Sequence, residues 1–148
     1  MRKKISYRGK VPIGEQERIR LKTIDGKTGY KISKFQVMPT APGINHQEIV
    51  AKITKTDQTG SIDALVDFTN SDLLAVNYFV ENPGTNVTPD DSIIFDNEKF
   101  NQDIFINITD ANGGTVPVNY YIELEQIKLS LDENTVATLK DIRNIEAQ

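Results

Sequence analysis

Apolar and polar side chains alternate along most of this chain with a period of two, the repeat of a strand with one buried face. Residues 17–24 (ERIRLKTI) set Ile19, Leu21 and Thr23 against Arg18, Arg20 and Lys22. Asp25-Gly26 follows, a dipeptide that tolerates positive φ at both turn positions, and it predicts a hairpin into residues 28–38. In that segment Tyr30 and Ile32 hold one phase while Phe35 and Val37 hold the other, and the switch predicts a bulge. The run Pro39-Thr40-Ala41-Pro42-Gly43 then breaks the chain. Further strands are predicted at 47–55, 61–68, 73–80, 92–95, 102–109 and 116–125. The clearest are Ile104, Ile106 and Ile108 in the 102–109 segment, and Val116, Val118, Tyr120, Ile122 and Leu124 in the last. Residues 82–91 (NPGTNVTPDD), with two prolines, read as a long polar loop.

About eight strands, with turn signals every 8–12 residues, predict an all-β sandwich, with the jelly roll as one candidate form. No alternation of strands with helices appears, which argues against a doubly wound sheet. The pattern changes at the end. Ser130-Leu131-Asp132-Glu133 fits a capping box. Val136, Leu139, Ile142 and Ile145 recur at helical spacing, with Asp132 and Glu133 early and Lys140 and Arg143 late, as a helix dipole favours. One C-terminal α-helix is predicted over 132–145. Its apolar stripe packs either on its own sandwich or on a neighbouring subunit.

Charge adds a second pattern. Residues 1–34 hold 11 of the 17 Lys/Arg but 3 of the 21 acids, so the net charge of −4 hides a basic first third and an acidic remainder. Residues 1–16 carry few periodic apolar positions, and Pro12 and Gly14 interrupt them. They read as a basic N-terminal arm that orders on an acidic partner, with Arg2, Lys3, Lys4, Arg8 and Lys10 as the partner-binding residues. The competing reading is a solvated tail or an edge strand guarded by lysines. Residues 17–148 are then a single sandwich domain ending in the helix, the size of chain that builds one core. Direct nucleic-acid binding is disfavoured. The acidic body repels phosphate, and Tyr7 is the one aromatic of the basic third expected to be exposed.

The candidate chemistry is sparse. There is no cysteine, hence no disulfide framework and no thiolate metal site. The single histidine, His46, has no nucleophile motif to serve and is expected in a loop or at a strand edge. Asp90, Asp91, Asp96, Glu98 and Asp103 cluster, but without the spacing of a Ca²⁺ loop; turn and cap roles account for them better. No metal, cofactor or catalytic residue is expected, and the chain is read as not an enzyme. Asn86-Val87-Thr88 and Asn107-Ile108-Thr109 match the glycosylation tripeptide, which means little without a secretory signal. The start MRKKISYR has no hydrophobic stretch behind its charges, and no apolar run approaches a membrane span, so no membrane association is expected.

Three stretches together carry a resemblance. They are Thr28–Pro39 (TGYKISKFQVMP), Ile94–Ile106 (IFDNEKFNQDIFI), and Asn119–Glu125 (NYYIELE) with the tail Thr135–Asn144 (TVATLKDIRN). They resemble a group of small virion structural proteins of marine tailed bacteriophages, over roughly residues 20–145. The resemblance implies a protein of the virion capsid surface, made in the host cytoplasm, that decorates or cements the shell. It implies the major capsid protein and other copies of the chain, for instance in a trimer, as partners, and it brings no catalytic residues. The alternatives are a head–tail joining protein, or a fibre- or spike-like module that binds a host glycan through the 82–91 loop; the lack of Trp counts against the glycan module.

Overall fold

A computed structural model of the chain describes residues 3–21, 27–43, 46–81, 87–95 and 98–129, with 87–91 as backbone. The strands are β1 (Lys3–Val11), β2 (Glu15–Ile19), β3 (Thr28–Pro39), β4 (Gln47–Thr54), β5 (Leu73–Glu81), β6 (Val87–Ile94), β7 (Ile104–Asp110) and β8 (Val118–Lys128). They form two antiparallel sheets in a sandwich-like arrangement, one ordered β1-β8-β3 and the other β2-β7-β4-β5-β6. The expected all-β class and strand number are found, although the number agrees partly by compensation, one predicted strand being absent and one unpredicted strand present. The predicted helix over 132–145 lies outside the described residues.

The inner faces follow the predicted alternation. Ile49, Ala51 and Ile53 of β4 and Ile104, Ile106 and Ile108 of β7 are fully buried against Phe35 of β3 and Ile122 and Leu124 of β8. Each buried isoleucine or leucine of this set contributes about 1.5–3 kcal/mol. The bulge falls where the phase switches, with a register shift between Ile32 and Lys34 against β8. The extra residue turns Phe35 and Val37 inward.

Four expectations are corrected. Residues 3–11 are an edge strand of the sandwich, not an arm. Ile5, Tyr7, Gly9 and Val11 alternate with Lys4, Ser6, Arg8 and Lys10, and the strand pairs with β8 from Lys3↔Gln126 to Val11↔Val118. The short, weakly apolar inner row concealed this period: glycine fills one place because Tyr120 lies across it. A Cβ on Gly9 would stand 2.8 Å from the Tyr120 ring. Second, β2 and β3 are not a hairpin. β2 pairs with β7 and β3 with β8, so the connection crosses between sheets, and Asp25-Gly26 lies outside the described residues. Third, the 82–91 loop and the 92–95 strand are largely one strand, β6. Its Pro89 is tolerated because β6 is an edge strand whose register shifts between Tyr78 and Val80, opposite that proline.

The fourth correction concerns residues 61–68, which form no strand. The segment 55–72 is a loop closed at its base by Lys55 N–H donating to the Asp72 carbonyl at 2.9 Å. Inside it, side-chain oxygens accept from the backbone N–H two residues on: Asp57 from Thr59 (2.8 Å), Asp63 from Leu65 (3.0 Å), Asp67 from Thr69 (2.9 Å) and Asn70 from Asp72 (2.9 Å). These local bonds compete with a sheet ladder and win. The loop lies across the outer face of the five-stranded sheet. Gln58 N–H donates to Gln16 on β2 (2.9 Å), Thr109 on β7 donates to the Asp63 carbonyl (3.3 Å), and Lys52 on β4 donates to the Leu65 carbonyl (2.8 Å). Its cover explains why the outward-facing Val50 and Asn107 are buried.

Asp72 anchors the end of this loop. Its carboxylate accepts from the Thr56 hydroxyl and from Gln58 Nε2 at 3.0 Å. Burial nonetheless raises its pKa, against the lowering pull of Thr56, Lys55 and Gln58.

Two outcomes follow. Gly9→Ala should lower stability to urea by about 1–3 kcal/mol, although alanine is the better strand former, because the added methyl would stand 2.8 Å from the ring of the buried Tyr120. A raised carboxyl pKa means that the folded chain binds the proton more tightly than the unfolded one, so Asp72 costs stability as pH climbs above the ordinary aspartate range. Asp72→Asn should therefore gain stability relative to the unsubstituted chain on going from about pH 4 to about pH 7. Urea midpoints at the two pH values measure this, and an unchanged difference between the chains would refute it.

Candidate interaction face

The partner-binding candidates sit on β1. Lys4, Arg8 and Lys10 occupy its outward row, Lys3 is exposed at its start, and Arg2 lies outside the described residues. Because β8 pairs with β1 on one edge and β3 on the other, residues far apart in sequence align in rungs across the outer face. The rungs are Lys4–Glu125–Lys31, Ser6–Glu123–Lys34, Arg8–Tyr121–Gln36 and Lys10–Asn119–Met38. Two cationic margins thus flank an acidic and aromatic centre. Lys31 approaches Glu125 at 3.8 Å, and Lys34 Nζ stands 6.0 Å from the Tyr121 ring centroid, within cation–π reach. The Tyr121 hydroxyl donates to Glu123 at 3.0 Å, and that bond to a carboxylate holds its proton on more tightly than in a free phenol. Arg8 and Lys10 make no ion pair among the described residues.

Two depressions adjoin Tyr121. One, of about 580 Å³, is lined by Val37, Met38, Pro39, Pro42, Phe79 and Tyr121. Glu81 at its floor accepts from the Gly43 N–H and from Gln47 Nε2 at 3.4 Å. The other, of about 480 Å³, opens between Tyr121 and the Arg8–Lys10 row. Met38 is 61% exposed at the rim.

The basic third is divided between the two sheets. Arg18 points out of the five-stranded sheet and is paired with Asp103 at 2.7 Å. Lys31 and Lys34 join the candidate face. Their place was legible in the alternation of β3, but their approach to Arg8 and Lys10 depends on which strand lies between. Tyr121 and Asn119 alternate with the inner row Val118, Tyr120 and Ile122 and so face outward, but their flanking by cations has no signal in that alternation.

The acidic cluster is dispersed. Glu98 pairs with Lys55 at 2.9 Å, Asp103 with Arg18 and with the Leu21 N–H at 2.8 Å, Asp90 and Asp91 lie on β6, and Asp96 is outside the described residues. Asp110 takes a turn role, accepting from the N–H groups of Asn112 (2.9 Å) and Glu48 (3.1 Å). The His46 carbonyl accepts from Asn112 at 3.2 Å. Among the described residues no group of three or more His, Cys, Asp or Glu could hold a metal ion, and no helix is long and apolar enough to cross a membrane.

The fold and this face define an all-β, sandwich-like protein with a cationic sheet surface. Compared with family models, with curated proteins and with solved structures, the chain matches none.

The face is built to be replaceable without loss of fold. Arg8→Gln with Lys10→Gln should change unfolding free energy by less than about 1 kcal/mol, as for exposed charges generally. Glu98→Gln should cost more, because it leaves the nearly buried Lys55 ammonium without its nearest carboxylate. Denaturant titration of the two variants compares them directly.

Proposed function

We propose that this chain is a non-enzymatic structural protein of a tailed-phage virion, which decorates or cements the capsid shell through protein–protein contacts. The observation that carries the reading is the strand order. β1 pairs with β8, β2 with β7, and β4 with β5, a nesting that supports the jelly-roll reading, an architecture used by viral capsid and lectin domains. The departure is β6, which pairs with β5 and only approaches β3. The cationic outer face supports the partner side of the reading, offering Lys4, Arg8, Lys10, Lys31 and Lys34 to acidic patches on the major capsid protein or on neighbouring copies. Single exposed ion pairs are weak, so many copies and an apolar contact must supply the affinity.

The glycan-binding alternative has one feature in its favour, the Tyr121, Asn119 and Gln36 group beside a cavity. Gln36, Asn119 and Tyr121 line that cavity together with Val37, Met38, Pro39, Pro42 and Phe79, and most of its exposed wall is apolar.

Deleting residues 1–10 would strip β8 of a paired neighbour, so the informative changes are point substitutions. Purified particles should contain the chain in hundreds of copies, as quantitative mass spectrometry would show. A few to a dozen copies would favour the head–tail joining role, and absence from the particle would end the virion reading. Arg8→Glu with Lys10→Glu should abolish binding to undecorated capsids while leaving the circular dichroism spectrum unchanged.

A further inference from the structure

The molecule has two opposite outer surfaces with complementary character. On the five-stranded side, the covering loop exposes Leu65 (77%) and Val66 (41%) between Asp63 and Asp67, and Phe68 (54%) directly after Asp67. Exposed aliphatic and aromatic side chains grouped in one short segment mark a contact surface. The segment is held in place before any partner arrives. Lys52 Nζ ties down the Leu65 carbonyl at 2.8 Å, Asp67 accepts both the N–H and the hydroxyl of Thr69, and Phe68 packs edge-on against Phe95 at 5.4 Å. Ordering it on binding therefore costs little. On the three-stranded side lie Arg8, Lys10 and Lys34, and beside them the apolar cavity rimmed by Met38 and Tyr121.

One surface presents apolar side chains beside the Asp67 carboxylate, with Asp63 already paired to Lys52 at 3.3 Å, and the other an apolar hollow flanked by cations. They back onto each other across the sandwich, so a single chain cannot bring them together. We infer that copies of this chain associate head to tail, the Asp63–Phe68 segment of one copy seating Leu65 and Phe68 in the Met38–Tyr121 cavity of the next. Such a contact is heterologous: it closes into a ring where the rotation allows and otherwise extends into a string of copies. The bonds that Asp67 accepts from Thr69 hold its carboxyl below the usual range, so the anionic side persists into mildly acidic solution. The inference deepens the proposed shell role by naming the partner of the cationic face.

Sedimentation velocity over a concentration series at low salt tests it. The unsubstituted chain should form species larger than the monomer that dissociate as salt is raised. Leu65→Lys, at a largely exposed position, and Arg8→Glu with Lys10→Glu should each weaken association by at least about tenfold. An equimolar mixture of these two variants should form a one-to-one complex, because the face of the first and the loop of the second are both intact. A chain that stays monomeric throughout, or variants that associate as well as the unsubstituted chain, would overturn the inference. A monomeric chain present in hundreds of copies per particle would sink the self-contact alone. Self-association of a chain absent from particles would sink the virion reading alone.

Discussion

The structure depends on one strand having two partners. β8 is hydrogen-bonded along both edges, to β1 from the start of the chain and to β3 from its first third. Its inner row, Val118, Tyr120, Ile122 and Leu124, supplies the floor against which the β4 and β7 isoleucines pack. Its outer row supplies the centre of the candidate face. Two close approaches show how tightly the neighbours are drawn in: Gly9 lies under the Tyr120 ring, and a Cβ on Gly29 would stand 2.8 Å from Leu129. Burial of Tyr120 beside Glu17 pushes its phenol up, so the hydroxyl stays protonated inside the sandwich.

Strands with strong inner rows were legible in the sequence. The isoleucines of β4 and β7 and the long alternation of β8 state their own period, and the phase slip in β3 locates its bulge. β1 was hidden because its period is carried by Ile5, Tyr7, Gly9 and Val11, of which one has no side chain. Residues 61–68 misled for the opposite reason. Their alternation is real, but Asp57, Asp63, Asp67 and Asn70 capture the backbone locally. The hairpin signal at Asp25-Gly26 indicates a turn and not which sheet receives the returning strand.

The candidate face was half legible. The basic excess pointed to Lys4, Arg8 and Lys10, and composition alone could not separate them from Arg18, which is neutralised across the fold by Asp103. Nor does sequence distance reveal that Lys34 stands one strand beyond Arg8. That juxtaposition follows from the insertion of β8 between β1 and β3, a long-range pairing with no local signature. Lys52 and Lys55, from the acidic part of the chain, are committed to Asp63 and Glu98 and stabilise the loop and its base.

The pairing of the first strand with the last has a consequence during synthesis. β1 leaves the ribosome first, but β8 follows more than a hundred residues later, on the order of ten seconds at ordinary translation rates. Throughout that interval an alternating segment with two free edges is exposed to other nascent chains, the condition in which strands add to the wrong neighbour. Lys4, Arg8 and Lys10 place a positive charge on nearly every outward position of it, and like charges facing across a mispaired ladder repel. The same row that faces outward in the finished sandwich thus has the charge pattern of a gatekeeper in the growing chain.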